Sequence, residues 1–124
     1  MRALLDTHIV LWWLSEPERL SKKQFDFIYS KNAQIILSAA SIWEISIKES
    51  IGKLEVPNNI LEIIKEDDID FLPITAQHAN YTRTLPLIHK DPFDRIIIAQ
   101  AQLEGLKLIS SDQAFSGYNI ETIR

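Results

Sequence analysis

Apolar residues fall along this chain in short solid blocks and in longer stretches with a helical repeat. The blocks at residues 2–6, 34–37, 71–74 and 106–110 are too short for helices, and their adjacent apolar residues (Leu4-Leu5, Ile35-Ile36-Leu37) mark strands covered on both faces. The alternating tail, 119–123, predicts a last edge strand. Helical segments lie between them: 8–14, with Thr7 as its cap; Ser21 to about Ser30, with a Phe25, Ile28, Tyr29 stripe; and a helix after Ser38-Ala-Ala-Ser41 that runs to Gly52. Further helices are predicted at 60–66 and from Thr75 toward Pro86. The last begins at Asp91-Pro92, where Asp suits the N-cap and Pro the first helical position, whose N–H has no intrahelical partner anyway. Its Ile96, Ile97, Ile98, Ala99, Ala101 and Leu103 are apolar nearly all round, which predicts a buried helix, ended by Gly105. Strands alternating with helices predict a parallel sheet with helices on both faces.

Composition narrows the class. With 124 residues, 46% of them apolar, the chain has material for one core, and a single domain over 1–124 is expected. The absence of cysteine excludes a disulfide framework and thiolate metal sites, and it suits a reducing cytoplasmic compartment. The apolar run Ile9 to Leu14 is far too short for a signal peptide or a membrane span, so no membrane association is expected. A formal charge of −4 rules out coating nucleic acid by charge alone. The three glycines stand apart from one another, so no phosphate-cradling loop is present.

Candidate chemistry lies in four acids. Ligands of open α/β sheets collect beyond the carboxyl ends of the strands. Asp6 and Asp112 follow strand ends directly; Glu44 and Asp94 are expected in the first turns of helices reaching the same edge. Each also has a local explanation. Ser41-Ile-Trp-Glu44 has the form of a capping box, Asp94 complements a helix dipole, Asp6 suits a turn, and Asp112 suits the cap of a short helical turn. Their coincidence on one edge favours a common role. Two unit charges about 4 Å apart repel by roughly 4 kcal/mol at an effective dielectric near 20, so such a cluster needs protons or cations. All-oxygen ligation selects a hard ion, Mg²⁺ or Mn²⁺, able to activate water and hold a phosphodiester.

The segments Leu-Leu-Asp6-Thr-His, Ser-Ile-Trp-Glu44-Ile with Ile-Gly52-Lys-Leu, His-Lys-Asp-Pro-Phe-Asp94-Arg-Ile and Leu-Ile-Ser110-Ser-Asp112 resemble, in order, the motifs of PIN-domain proteins of the VapC toxin type. The resemblance runs from residue 3 to the end of the chain. It implies a three-layer α/β/α domain with sheet order 3-2-1-4-5, acting as a Mg²⁺- or Mn²⁺-dependent endoribonuclease. It implies Asp6, Glu44 and Asp94 as metal-binding acids, Asp112 as the fourth, and Thr7 and Ser110 as small hydroxyl residues beside them. Asp91 belongs to the Asp-Pro-Phe-Asp pattern and is expected as a cap or a group behind the ligands. Such proteins are usually silenced by a small VapB-like antitoxin and commonly form homodimers.

His89, Lys90 and Arg95 flank the acids and are expected to hold RNA phosphates, unless Arg95 satisfies a neighbouring acid instead. His8 follows the Asp6-Thr7 turn, and Lys48 is placed for an i, i+4 pair with Glu44. Trp12, Trp13 and Trp43 exceed what short surface helices should carry, which points to core for some and to an antitoxin or dimer interface for others. Phosphoryl transfer through a nucleophilic Asp6, as in haloacid-dehalogenase-like phosphatases, usually wants Asp-x-Asp where this chain has Asp6-Thr-His8. Response-regulator receivers want an acid after strand three, where Phe71-Leu-Pro73-Ile74 has none. A catalytically silent metal-binding module is the remaining alternative.

Overall fold

The computed structural model describes residues 1–124. Five parallel strands, β1 (Arg2–Leu5), β2 (Gln34–Ser38), β3 (Ile69–Leu72), β4 (Lys107–Ile109) and β5 (Thr122–Ile123), form one sheet in the order β3-β2-β1-β4-β5. Six α-helices connect them: α1 (Thr7–Ser15), α2 (Lys22–Ile28), α3 (Ala39–Ser50), α4 (Ile60–Glu66), α5 (Ala76–Tyr81) and α6 (Pro92–Glu104). None is long and apolar enough to cross a membrane.

The side-chain period of two divides each strand between two cores. Ala3, Leu5, Ile35, Leu37 and Ile109 face the layer containing Ile9, Val10 and Trp13 of α1, Ile45 of α3 and Ile64 of α4. Leu4, Ile36 and Leu108 face Ile97, Ile98 and Ala101 of α6. The three-layer α/β/α architecture therefore follows from apolar residues on both faces of every central strand, each full burial contributing about 1.5–3 kcal/mol. Strand order reverses at β1, so the crevice beyond its carboxyl end is the switch point where such sheets take ligands.

Several local expectations are corrected. Strand β3 starts two residues early, at Ile69, because Ile69 points into the core while Asp70 faces solvent and receives the Gln34 amide. In α2 the predicted apolar stripe is mostly outside: Phe25 and Tyr29 are exposed and pack on each other, with ring centroids 4.5 Å apart. The buried residue is Gln24, whose amide reaches Ser111 Oγ and the Ile123 carbonyl. Thr7 does not cap α1. It is the first helical residue, behind Asp6 at the N-cap position. Ser41 is no cap either: α3 begins at Ala39 with Ser38 as N-cap, its hydroxyl accepting from the Ala40 N–H at 3.0 Å. Glu44 therefore stands in the second turn of α3, and the capping box is absent.

Candidate metal centre

Each acid is placed by a different piece of local chemistry. Asp6 is the first residue beyond β1, only 3% exposed, and its backbone N–H still donates to the Ile109 carbonyl of the neighbouring strand. Its Oδ2 accepts from Ser110 Oγ at 2.9 Å, and the same hydroxyl accepts from the Asp112 N–H at 3.0 Å. Ser110 thus couples the ends of β1 and β4. Thr7 donates to Ser41 Oγ at 2.9 Å, both buried, which pins the start of α1 to α3.

Glu44 is 7% exposed. Lys48, one turn along α3, reaches its Oε2 at 3.0 Å, the expected i, i+4 pair. Its Oε1 is buried with no hydrogen-bond partner. Since an unmet buried polar atom costs about 1–3 kcal/mol, more when charged, this oxygen calls for a ligand.

Asp91 caps α6 as expected, Oδ1 accepting from the Phe93 N–H at 2.8 Å and the Asp94 N–H at 3.3 Å. That cap fixes Asp94 in the first turn. Burial, and after it the charges of Asp6, Asp91, Glu44 and Asp112, push the Asp94 carboxyl up to about 8. The Asp6 carboxyl is also raised, chiefly by burial, against the Ser110 hydrogen bond and His8. Four chain segments thus bring their acids within electrostatic reach of Asp94. Asp112 lies on the exposed rim and caps the 3₁₀ turn Gln113–Gly117, its Oδ1 accepting from the Ala114 N–H at 2.9 Å.

The basic residues divide differently from expectation. Arg95 satisfies no acid; its guanidinium is turned to backbone carbonyls. Nη1 donates to the carbonyls of Pro86 and His89, and Nη2 to those of Thr82 and Leu85, so the guanidinium braces the loop before α6. His89 turns inward, Nε2 lying 3.0 Å from Asp94 Oδ2 and 3.3 Å from Asp112 Oδ2. Lys90 is adjacent to the acids in sequence only: it is exposed and lines a shallow depression with Ala79, Thr82, Pro92, Arg95 and Ile96. His8 is exposed and, with Trp12, lines an open depression of about 250 Å³ over Asp6 and Asp112. Of the three tryptophans, Trp13 is core, Trp12 is half-buried, and Trp43 is 61% exposed, meeting Phe93 edge-on at 5.1 Å. Two residues of the region were not singled out from the sequence. Tyr118 accepts from the His89 N–H at 2.7 Å and donates to the Pro86 carbonyl at 2.8 Å, and Phe115 packs on the His89 ring. Neither lies in a motif that would have marked it.

The donor set is carboxylate oxygen at the switch point of a parallel sheet, with Asp6 and Glu44 buried, Asp94 half-buried and Asp112 exposed; it fits a hard divalent cation. Fold and centre together define an α/β domain of the acid-cluster kind that the motifs resemble. The chain belongs to the PIN domain family, whose model matches residues 3–120. It is 27% identical over 113 residues to Ribonuclease VapC22 of Mycobacterium tuberculosis, covering 89% of this chain and 86% of that protein. Among solved structures it resembles a chain of VapBC2 from Rickettsia felis bound to a promoter DNA fragment, with TM-score 0.72, 17% identity and all of both chains covered. It also resembles a chain of DNA-bound VapBC from Salmonella typhimurium, with TM-score 0.69, 17% identity, and 98% of this chain and 96% of that one covered.

Proposed function

We propose that this protein is a Mg²⁺- or Mn²⁺-dependent endoribonuclease and the toxin of a toxin–antitoxin pair. The observation that carries the reading is the unpartnered, buried Glu44 Oε1 beside an Asp94 carboxyl that cannot comfortably ionise without added positive charge. Asp6, Glu44 and Asp94 would hold the ion, with Asp112 closing the rim. A bound divalent cation supplies a polarised water as nucleophile and a positive centre for the scissile phosphate. Ser110 orients Asp6, Lys48 holds one Glu44 oxygen and leaves the other to the ion, and Asp91 fixes the backbone that carries Asp94. Exposed Lys90 offers positive charge for an RNA phosphate.

The relatives' names support the ribonuclease activity and a VapB-like antitoxin partner. An apolar groove of about 360 Å³, lined by Leu11, Trp12, Leu14, Leu54 and Val56, supports a peptide partner of that kind. Exposed Trp43 and Ile47 on α3 support a homodimer, and the lack of cysteine supports a cytoplasmic setting.

The test is RNA cleavage by the purified chain with Mn²⁺ and with chelator, beside an Asp6→Asn control. Cleavage that needs the ion and is lost in the control supports the proposal. A chain that binds Mn²⁺ but leaves RNA intact is instead a silent metal-binding PIN module acting through protein partners.

A further inference from the structure

Gln24 is fully buried in the first turn of α2, and its side-chain amide is held on three sides. Oε1 accepts from the Ser21 backbone N–H at 3.0 Å, and Nε2 donates to the Ile123 carbonyl at 3.3 Å. A backbone N–H can only donate and a carbonyl can only accept, so these two neighbours settle which end of the amide is oxygen. The other Nε2 hydrogen goes to Ser111 Oγ, 3.0 Å away. The Ser111 oxygen is therefore the acceptor in that contact, and the hydroxyl keeps its own hydrogen. Gln24 is its one side-chain partner in the protein.

Ser111 is exposed, and with Asp6, His8, Ile9, Trp12 and Asp112 it lines the depression over the acids. Its hydrogen is thus available to a molecule entering there. Ser110 differs, since its hydrogen is spent on Asp6. A phosphodiester in this depression faces carboxylates on the same wall, where an uncharged donor adds attraction without competing for a cation. Serine hydroxyls donate readily to phosphate oxygens.

We propose that Ser111 donates a hydrogen bond to a phosphate oxygen of the RNA, and that Gln24 is the positioning residue that presents the hydroxyl as a donor. This rests on the reading of the protein as a ribonuclease.

The test measures Mn²⁺-dependent cleavage kinetics of the full chain on two RNA substrates of different sequence, with Mn²⁺ affinity determined alongside. Ser111→Ala should raise KM about tenfold on both substrates, with the loss falling on KM rather than kcat or Mn²⁺ affinity. Ser111→Thr, which keeps the hydroxyl, should recover most of it. In Gln24→Glu the capping box survives, but the carboxylate can only accept, so it takes the Ser111 hydrogen away from the substrate. Adding Ser111→Ala to Gln24→Glu should then raise KM by less than about twofold further. A parent-like KM in Ser111→Ala, an equal loss in Ser111→Thr, a loss on one sequence only, a loss of Mn²⁺ affinity instead, or a full Ser111→Ala effect on top of Gln24→Glu would overturn the inference while leaving the ribonuclease intact. No metal-dependent cleavage by the parent removes both. If circular dichroism shows that Gln24→Glu does not fold, the Ser111→Ala and Ser111→Thr pair decides alone.

Discussion

Glu44 and Asp112 belong to one acid cluster, yet the protein treats their oxygens in opposite ways. On the buried floor, formed by Asp6 and Glu44, carboxylates lie almost out of solvent, and one oxygen has no partner at all. On the rim, Asp112 is open to water and each of its oxygens meets a protein nitrogen, Ala114 N–H at one and His89 Nε2 at the other. A floor of that kind is costly on its own, because burial penalises charge and neighbouring acids compound it, whereas the rim is content without an ion. The proposed function therefore puts the ion on the floor, while the rim acid also serves as loop architecture.

The largest effect is expected where the floor is broken outright. Asp6→Asn and Asp94→Asn should each reduce Mn²⁺-dependent RNA cleavage by roughly a hundredfold or more, beyond the 10–100-fold typical of losing an outer partner of a metal ligand. Cleavage rates of folded variants check this. Parent-like rates in both would dissolve the assignment of the site.

Next comes the direct contrast. Glu44→Gln should weaken Mn²⁺ binding at least about tenfold, and Asp112→Asn by clearly less, since Asn can still accept from Ala114 and the rim oxygens are already met. Calorimetric titration of the two variants decides it. Equal losses would mean that floor and rim contribute alike.

The same asymmetry should appear as a pH effect in the metal-free protein. The folded-state Asp94 carboxyl is raised from 3.8 to about 8, so between those values the native state holds a proton that the unfolded chain has released. Its contribution to stability is complete below the lower value and is lost as pH rises through the upper one. Melting temperature in chelator should therefore fall by several degrees between about pH 5 and pH 8, and added Mn²⁺ should restore it most at the alkaline end. Thermal scans of the parent and Asp94→Asn check this, the variant giving the flatter profile.

How much of this could be read from residues alone depended on the range of the interaction. Strand blocks such as Leu4-Leu5 and Ile35-Leu37 report burial on both faces directly, and Asp91-Pro92 carries its own cap chemistry, so sheet and α6 were legible. The sheet order was legible only through motif resemblance, whereas the four acids were assigned to one edge from strand ends and helix starts alone. Ser38 and Ser41 are equally good caps by type, and only the backbone path decides between them. Gln24 is buried because Ser111 and Ile123, far along the chain, satisfy its amide, and hydrophobic periodicity says nothing of that. The partners of Arg95 and His89 were hidden for the same reason. Their partners are carbonyls and carboxylates brought together by the loop before α6, and a basic residue next to acids looks the same in sequence whether it meets substrate or backbone.

The smallest effect separates Asp91 from Asp94, two acids three positions apart in one motif. Asp91 accepts two backbone N–H groups at the start of α6, a role Asn performs about as well, whereas Ala cannot. Asp91→Asn should therefore leave stability within a few tenths of a kcal/mol of the parent, and Asp91→Ala should cost about 1 kcal/mol. Losing the Asp91 charge also removes one of the influences that raise the Asp94 carboxyl, so Asp91→Asn should lower the Asp94 value modestly. Cleavage by Asp91→Asn should in consequence exceed that of Asp94→Asn at every pH. Denaturant unfolding of the two Asp91 variants, alongside cleavage rates of both Asn variants, makes the comparison. An Asp91→Asn protein as stable as the parent but as inactive as Asp94→Asn would move Asp91 from cap to ligand and extend the demanding floor of the centre to the very start of α6.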